Sequence, residues 1–282
     1  MSERSDISRG VLNKRDIDRV LSTTRITPGK EFRDVISHIW VLRWSVPSGQ
    51  RVTVRTIGGL GSSFVWSAEI PRLFGVQRGV FCYRLRGTGW ITGCKLTPAG
   101  VRMFTRAPAS KFTDRAIDLK AVVAADNTHV ATLRTLSDNM ILPRLEAWVS
   151  EARLPMDSRL VQANVAAQTI GRQQGLLTVS ALAEEMNVSV RTLQKLFKDY
   201  VGVPAKWAIE RTRIVEVVRA LEHRLTCDLA TIATEFGYYD QSHMTNAFRR
   251  STGVTPREFH RRRFEIETRL DSLSSPSSAQ PL

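Results

Sequence analysis

Apolar positions follow two different periods along this chain. In the first hundred residues they fall in short β-branched and aromatic runs: 35–46 (VISHIWVLRWSV), 51–57 (RVTVRTI), 63–68 (SFVWSA), 80–85 (VFCYRL) and 89–96 (GWITGCKL). Turn residues such as Pro47-Ser48-Gly49 and Gly58-Gly59 separate these runs, and 12 of the 17 glycines lie in this stretch. The pattern predicts antiparallel strands. From about Asn127 the period becomes helical, over 128–151 with Pro143 as a break or first-turn residue, then from Ser158 to Gln174 with Asp157 as N-cap and Gly175 as stop.

The second half contains a degenerate internal repeat. Leu182-Ala183-Glu184-Glu185-Met186 recurs as Ile232-Ala233-Thr234-Glu235-Phe236 at an offset of 50; Phe197 and Gly202 recur as Phe248 and Gly253 at 51; Pro204 and Trp207 recur as Pro256 and Phe259 at 52. Each copy reads as short helix, tight turn, longer helix, and a Gly/Pro break, which are the dimensions of a helix-turn-helix. Thr178 and Ser189 are the expected N-caps of the first copy, over 180–186 and from 190 to about Tyr200; Asp228 and Asp240 are those of the second, over 229–236 and from 241 to about Ser251. A helix from Pro204 to about Leu221 joins them and spans roughly 27 Å at 1.5 Å per residue, close to the ~34 Å between successive major-groove faces.

Helical spacing separates core from contact surface. Val190, Leu193, Leu196 and Phe197 form the inward stripe of the first longer helix, with Arg191, Gln194, Lys195 and Lys198 opposite; in the second, Met244, Ala247 and Phe248 face inward, Ser242, Thr245, Asn246, Arg249 and Arg250 outward, and Gln241 sits at the edge. Arg and Lys donate to guanine O6/N7, Gln and Asn bridge adenine N6/N7, and hydroxyls serve either role. A lone basic residue on a helix is most simply a solvated one. The recurrence of the same face in two copies makes a DNA-reading surface the better account.

Residues from about 160 to 263 resemble the DNA-binding domain of the AraC/XylS family of bacterial transcription regulators. The resemblance is carried by Ile232-Ala233, Gly237-Tyr238-Tyr239-Asp240-Gln241-Ser242, Phe248-Arg249-Arg250, Gly253 and Thr255-Pro256, and more loosely by Ser189, Leu193, Phe197 and Gly202. Met244 stands where the family often has an aromatic. The resemblance implies a seven-helix domain that binds promoter DNA, with reading positions at Arg191, Gln194 and Lys195 and at Gln241, Ser242, Thr245 and Asn246, and activation through RNA polymerase, with repression left open. The first 150 residues are loosely similar to the cupin-like sensor or dimerisation domain of such regulators through Gly93-Cys94-Lys95-Leu96-Thr97-Pro98-Ala99-Gly100.

Charge and composition narrow the alternatives. The 282 residues carry 41 Lys+Arg against 27 Asp+Glu, a net +14 that suits a polyanionic partner. Residues 1–170 hold 25 basic and 14 acidic side chains and residues 171–282 hold 16 and 13, so the DNA argument rests on where charges sit, not on how many there are. Three scattered cysteines, Cys82, Cys94 and Cys227, give no disulfide framework or C-x-x-C site. His38 and His129, 91 residues apart, do not form a cupin metal set, and His223, His243 and His260 have no nucleophile beside them, so neither a metal nor a catalytic residue is expected. No apolar run reaches membrane-spanning length and the N-terminus lacks a secretory pattern, which gives the expectation of a cytoplasmic protein.

The expected class is therefore α+β: a β-rich cupin-like barrel domain followed by an all-α domain with two helix-turn-helix motifs. The expected boundaries are a flexible 1–15, a regulatory domain at 16–126, a helical linker or dimerisation segment at 127–156, the DNA-binding domain at 157–265, and a disordered Ser/Pro-rich tail at 271–282. No cofactor is expected. Promoter DNA is the principal partner, with RNA polymerase, a small-molecule effector and a second copy of the chain as further candidates. The alternative is a small-molecule-binding or enzymatic cupin that its C-terminal domain targets to DNA.

Overall fold

Eight strands occupy the first part of the computed structural model, which describes residues 11–12, 17, 19–67, 70–123, 133, 136–172, 178–224 and 227–261. They are β1 (Leu21–Ile26), β2 (Ile36–Ser45), β3 (Val52–Ile57), β4 (Ser63–Ser67), β5 (Arg72–Phe74), β6 (Val80–Leu85), β7 (Thr88–Leu96) and β8 (Ala116–Asp118). Six pair in one sheet, in the order β1-β2-β7-β4-β5-β8, and β3 pairs with β6 in a second; every ladder is antiparallel. The five long apolar runs of the sequence are β2, β3, β4, β6 and β7. The segment 1–15, expected to be flexible, lies outside the described residues apart from Val11 and Leu12, and the tail expected at 271–282 lies wholly outside them.

Alternation along the strands gives the large sheet one apolar face. Ile39 and Val41 on β2 pair with Cys94 and Thr92 on β7, which pair in turn with Phe64 and Trp66 on β4, and all six are buried. Burial pushes the Cys94 thiol far up, as expected of a core residue. On the opposite face Trp40 lies across Gly93 and Trp44 across Gly89. A Cβ on either glycine would come within 2.0 or 2.1 Å of the indole ring, so a side chain at these positions in β7 would have to displace the tryptophan.

Helix α1 (Asp138–Ala152) covers the apolar face with Ile141, Leu145, Trp148 and Val149, a helical stripe at i, i+4, i+7 and i+8. Polar contacts fix its register: Thr24 donates to Asp138 at 2.7 Å, Arg43 pairs with the same carboxylate at 2.7 Å, and Glu146 accepts the Gly29 N–H at 2.7 Å. Pro143 neither breaks this helix nor lies in its first turn, the two readings expected of it; the helix starts at Asp138 and runs through the proline.

The helical part follows as α2 (Ser158–Arg172), α3 (Val179–Glu185), α4 (Val190–Leu196, continued by a π turn over Phe197–Val201), α5 (Ala205–His223), α6 (Leu229–Glu235) and α7 (Gln241–Thr252). A further helix, α8, covers residues 256–261. Helices α2 to α8 make up the expected seven. Asp157 caps α2, accepting the Leu160 N–H at 2.8 Å; the stop expected at Gly175 lies outside the described residues.

The cores do not follow the apparent boundary between β and α parts. One continuous cluster runs from Ile39, Phe64 and Trp66 through Trp148 to Leu160, Leu182, Leu193 and Phe197, and so joins the large sheet to the first helix-turn-helix. A second contains Ile232, Met244 and Phe248 of the second motif, Ile214, Val217 and Val218 of α5 and Phe259 of α8, together with Ile57 of β3. Asn164 reinforces the first junction. Its Oδ1 accepts the Ala99 N–H at 2.9 Å, while its Nδ2 donates to Asp34 O and approaches Thr97 Oγ1. Where the two clusters meet on α5 stands Arg211, only 3% exposed. It stacks on Trp207 at 4.8 Å and donates to the Arg78 carbonyl. Burial lowers its pKa and the Asp114 carboxylate opposes that shift.

Candidate nucleic-acid interface

Each motif is built from the same local devices in the same order. In the first, Thr178 Oγ1 accepts the Ala181 N–H at 3.1 Å and opens α3. Asn187 turns the chain at φ +52, and Ser189 Oγ accepts the Thr192 N–H at 3.1 Å to open α4. In the second, Asp228 accepts from Ala230 and Thr231 and opens α6. Gly237 takes φ +68 at the position matching Asn187, and Asp240 accepts the His243 N–H at 2.7 Å to open α7. The bonds from Thr231 hold the Asp228 carboxyl below its usual range. The second helix of each motif ends on a left-handed glycine, Gly202 at φ +96 and Gly253 at φ +80, the conformation that glycine alone adopts without cost.

These caps fix which faces of α4 and α7 reach solvent. Arg191, Gln194, Lys195 and Lys198 are exposed on the first, as are Gln241, Ser242, Asn246, Arg249 and Arg250 on the second, and Thr245 is half-buried. Behind them Leu193, Leu196, Phe197, Met244 and Phe248 are buried. Val190 departs from its inward assignment at 38% exposed: as the first residue of α4 it precedes the turn on which the apolar stripe reaches the core. Ala247 is half-buried. The candidate set carries five cations, Arg191, Lys195, Lys198, Arg249 and Arg250, and no carboxylate. The amides and hydroxyls of Gln194, Gln241, Ser242, Thr245 and Asn246 stand between them, which is the mixture that phosphate contact and base-edge contact require.

Tyr239 is missing from the sequence-derived set. It is 93% exposed at the entrance to α7, beside the first reading positions, where an aromatic ring can lie against a sugar or base. Its neighbour Tyr238 goes inward, with the Arg213 guanidinium over its ring at 5.2 Å and the His243 ring edge-on at 5.4 Å; burial pushes its hydroxyl up to about 12. The signal available in the sequence was the paired tyrosine in a turn, of which one ring suffices for packing. Among the described residues, no group of three or more His, Cys, Asp or Glu gathers to hold a metal, and no helix is long and apolar enough to cross a membrane.

Two parts of the chain match known families. Residues 182–262 match a family model described as a helix-turn-helix domain, and residues 24–118 match one described as a domain of unknown function, DUF6597. The chain is 33% identical over 84 residues to the HTH-type transcriptional activator RhaS of Escherichia fergusonii, an alignment covering 29% of this chain and 30% of that protein. The chain thus aligns with under a third of the curated relatives' length. Among solved structures, an AraC-type regulator from Chromobacterium violaceum is 22% identical with a TM-score of 0.35, covering 36% of this chain and 92% of that one. ToxT from Vibrio cholerae is 10% identical with a TM-score of 0.42, covering 86% of this chain and 98% of that one.

Proposed function

We propose, for a chain that belongs to the AraC/XylS family through its C-terminal domain, that it regulates transcription by reading promoter DNA with α4 and α7 set in two successive major-groove segments. The observation that carries this reading is the duplicated device itself: two capped helices, each presenting cations and amides outward over a buried apolar stripe, joined by the 19-residue α5, which is about 28 Å long. In this reading Arg191, Gln194, Lys195, Gln241, Ser242, Thr245 and Asn246 contact base edges, and Lys198, Arg249 and Arg250 hold phosphates. The family relation supports activation by contact with RNA polymerase.

The β-rich part, residues 16–126, serves in this account as the sensor or dimerisation domain, with residues 127–156 as the segment that connects it to the DNA-binding part and a core that continues into the first motif. Four buried polar atoms lie on the α1 side of the large sheet with no hydrogen-bond partner among the described residues: Trp66 Nε1, Trp90 Nε1, Thr92 Oγ1 and Trp148 Nε1. Three are donor-only indoles. They support the contact between sheet and α1 as the place where an acceptor-bearing effector acts.

Selection from a pool of random duplexes by the purified full-length protein tests the function. The expected outcome is enrichment of a sequence with two half-sites about one helical turn apart, and an affinity that falls with log salt by roughly 0.9 per phosphate neutralised. A pool that stays random after repeated rounds would contradict the reading.

A further inference from the structure

The two reading helices end at equivalent points of the repeat, Gly202 and Gly253, and both ends rest against the β-rich domain. Thr113 Oγ1 donates to the Gly202 carbonyl at 2.6 Å, and a Cβ on Gly202 would stand 2.9 Å from the Ala109 carbonyl. At the second motif the Arg55 guanidinium donates to the Thr252 carbonyl at 3.4 Å, the last residue of α7. A Cβ on Gly253 would lie 3.4 Å from the same Arg55 nitrogen.

The two contacts carry unequal weight. The first motif shares a continuous apolar core with the large sheet, so its orientation is fixed many times over. The second has its own core, into which the β-rich part inserts Ile57, with Val80 and Leu12 packed at its margin. Alternation along β3 explains the arrangement: Val52 and Val54 point to a separate small cluster with Val46 and Leu85, and Arg55 and Ile57 point the other way, to the second motif. A cation at the C-terminal carbonyls of a helix also opposes the negative end of its dipole, so the contact is favoured by charge as well as by the bond.

We propose that Arg55 is a positioning residue for DNA recognition: by holding the C-terminal end of α7 against β3, it fixes the second reading helix relative to the first, so that tolerance to half-site spacing is set by the β-rich domain. The inference rests on the DNA-binding reading above. Each inserted base pair rotates one half-site by about 34–36° relative to the other, so a fixed pair of helices loses affinity when the spacing changes by one pair and a loosened pair recovers part of it.

The test uses the full-length protein, the duplex it selects, and derivatives with one base pair inserted or removed between half-sites. Wild type is expected to bind the altered duplexes about tenfold or more weakly than the selected one. Arg55→Ala is expected to cut that penalty to about threefold or less, and Arg55→Lys to restore most of it; a general loss of packing would lower affinity for all three duplexes without narrowing the penalty. Arg55→Gln, which keeps a donor but removes the charge, provides a second reading should the alanine variant fold poorly. A penalty in Arg55→Ala and Arg55→Gln equal to that of wild type overturns the positioning role and leaves DNA binding intact. A wild-type protein indifferent to spacing overturns it as well. A protein that selects no duplex overturns both proposals.

Discussion

Trp148→Ala is expected to lower the unfolding free energy by about 3–5 kcal/mol, the range for removing a large aromatic from a packed core. Trp148 is 1% exposed. Phe64 and Trp66 meet its ring edge-on at 5.3 and 5.5 Å, and Phe104 stacks on it at 5.8 Å. These three rings belong to the sheet and the segment after β7, so loss of Trp148 weakens the hold of the helix on the sheet. The effect should extend further, because the same apolar cluster continues into Leu160, Leu182 and Leu193. Hydrogen exchange should therefore accelerate together at the amides of Val41 on β2 and Leu193 on α4. An unchanged urea midpoint, or acceleration confined to the sheet, would show that the two parts do not share a core.

The complementary substitution is Phe248→Ala, with an expected local loss of about 3–5 kcal/mol. Phe248 is fully buried in the second cluster and meets Phe259 edge-on at 5.8 Å. It anchors α7 from behind, between the outward Asn246 and Arg249. Since that cluster is separate from the first, exchange should accelerate at Ile232 and Met244 while Leu193 stays protected. Sub-global opening of this kind is how a cooperative unit with its own core reveals itself. Equal acceleration in both motifs would indicate one unfolding unit.

Much of this was legible in the sequence, for a physical reason. Caps, turn residues and apolar stripes are local, so Thr178, Ser189, Asp228 and Asp240 announced four helices correctly, and alternation over five or more residues announced β2, β3, β4, β6 and β7. Strands β5 and β8 have three residues each, too few to show a period, and β1 (LSTTRI) is largely polar because it lies at the sheet edge. Pro143 read as a break or a first-turn residue because an internal proline forfeits one hydrogen bond. The four apolar side chains of α1 that bury against the sheet outweigh that loss. What no local pattern reveals is which apolar faces meet. The core shared by sheet and first motif depends on tertiary assembly, and so does the Arg55 contact with α7, which joins residues 197 positions apart. The same limit applies to Tyr239, whose exposure follows from Tyr238 taking the inward position.

The most direct measurement is binding of Lys195→Ala and Asn246→Ala to duplexes that carry every single-base change within the selected site. Both side chains are exposed on the outward faces of α4 and α7, one in each motif. Each variant is expected to lose about 1–3 kcal/mol on the selected duplex and to lose discrimination at one base position, with the Lys195 position in one half-site and the Asn246 position in the other. Arg250→Ala should weaken binding to all duplexes alike, as a phosphate contact does. Base preferences that survive both substitutions, or that change only in Arg250→Ala, would contradict the assignment of these faces to DNA reading.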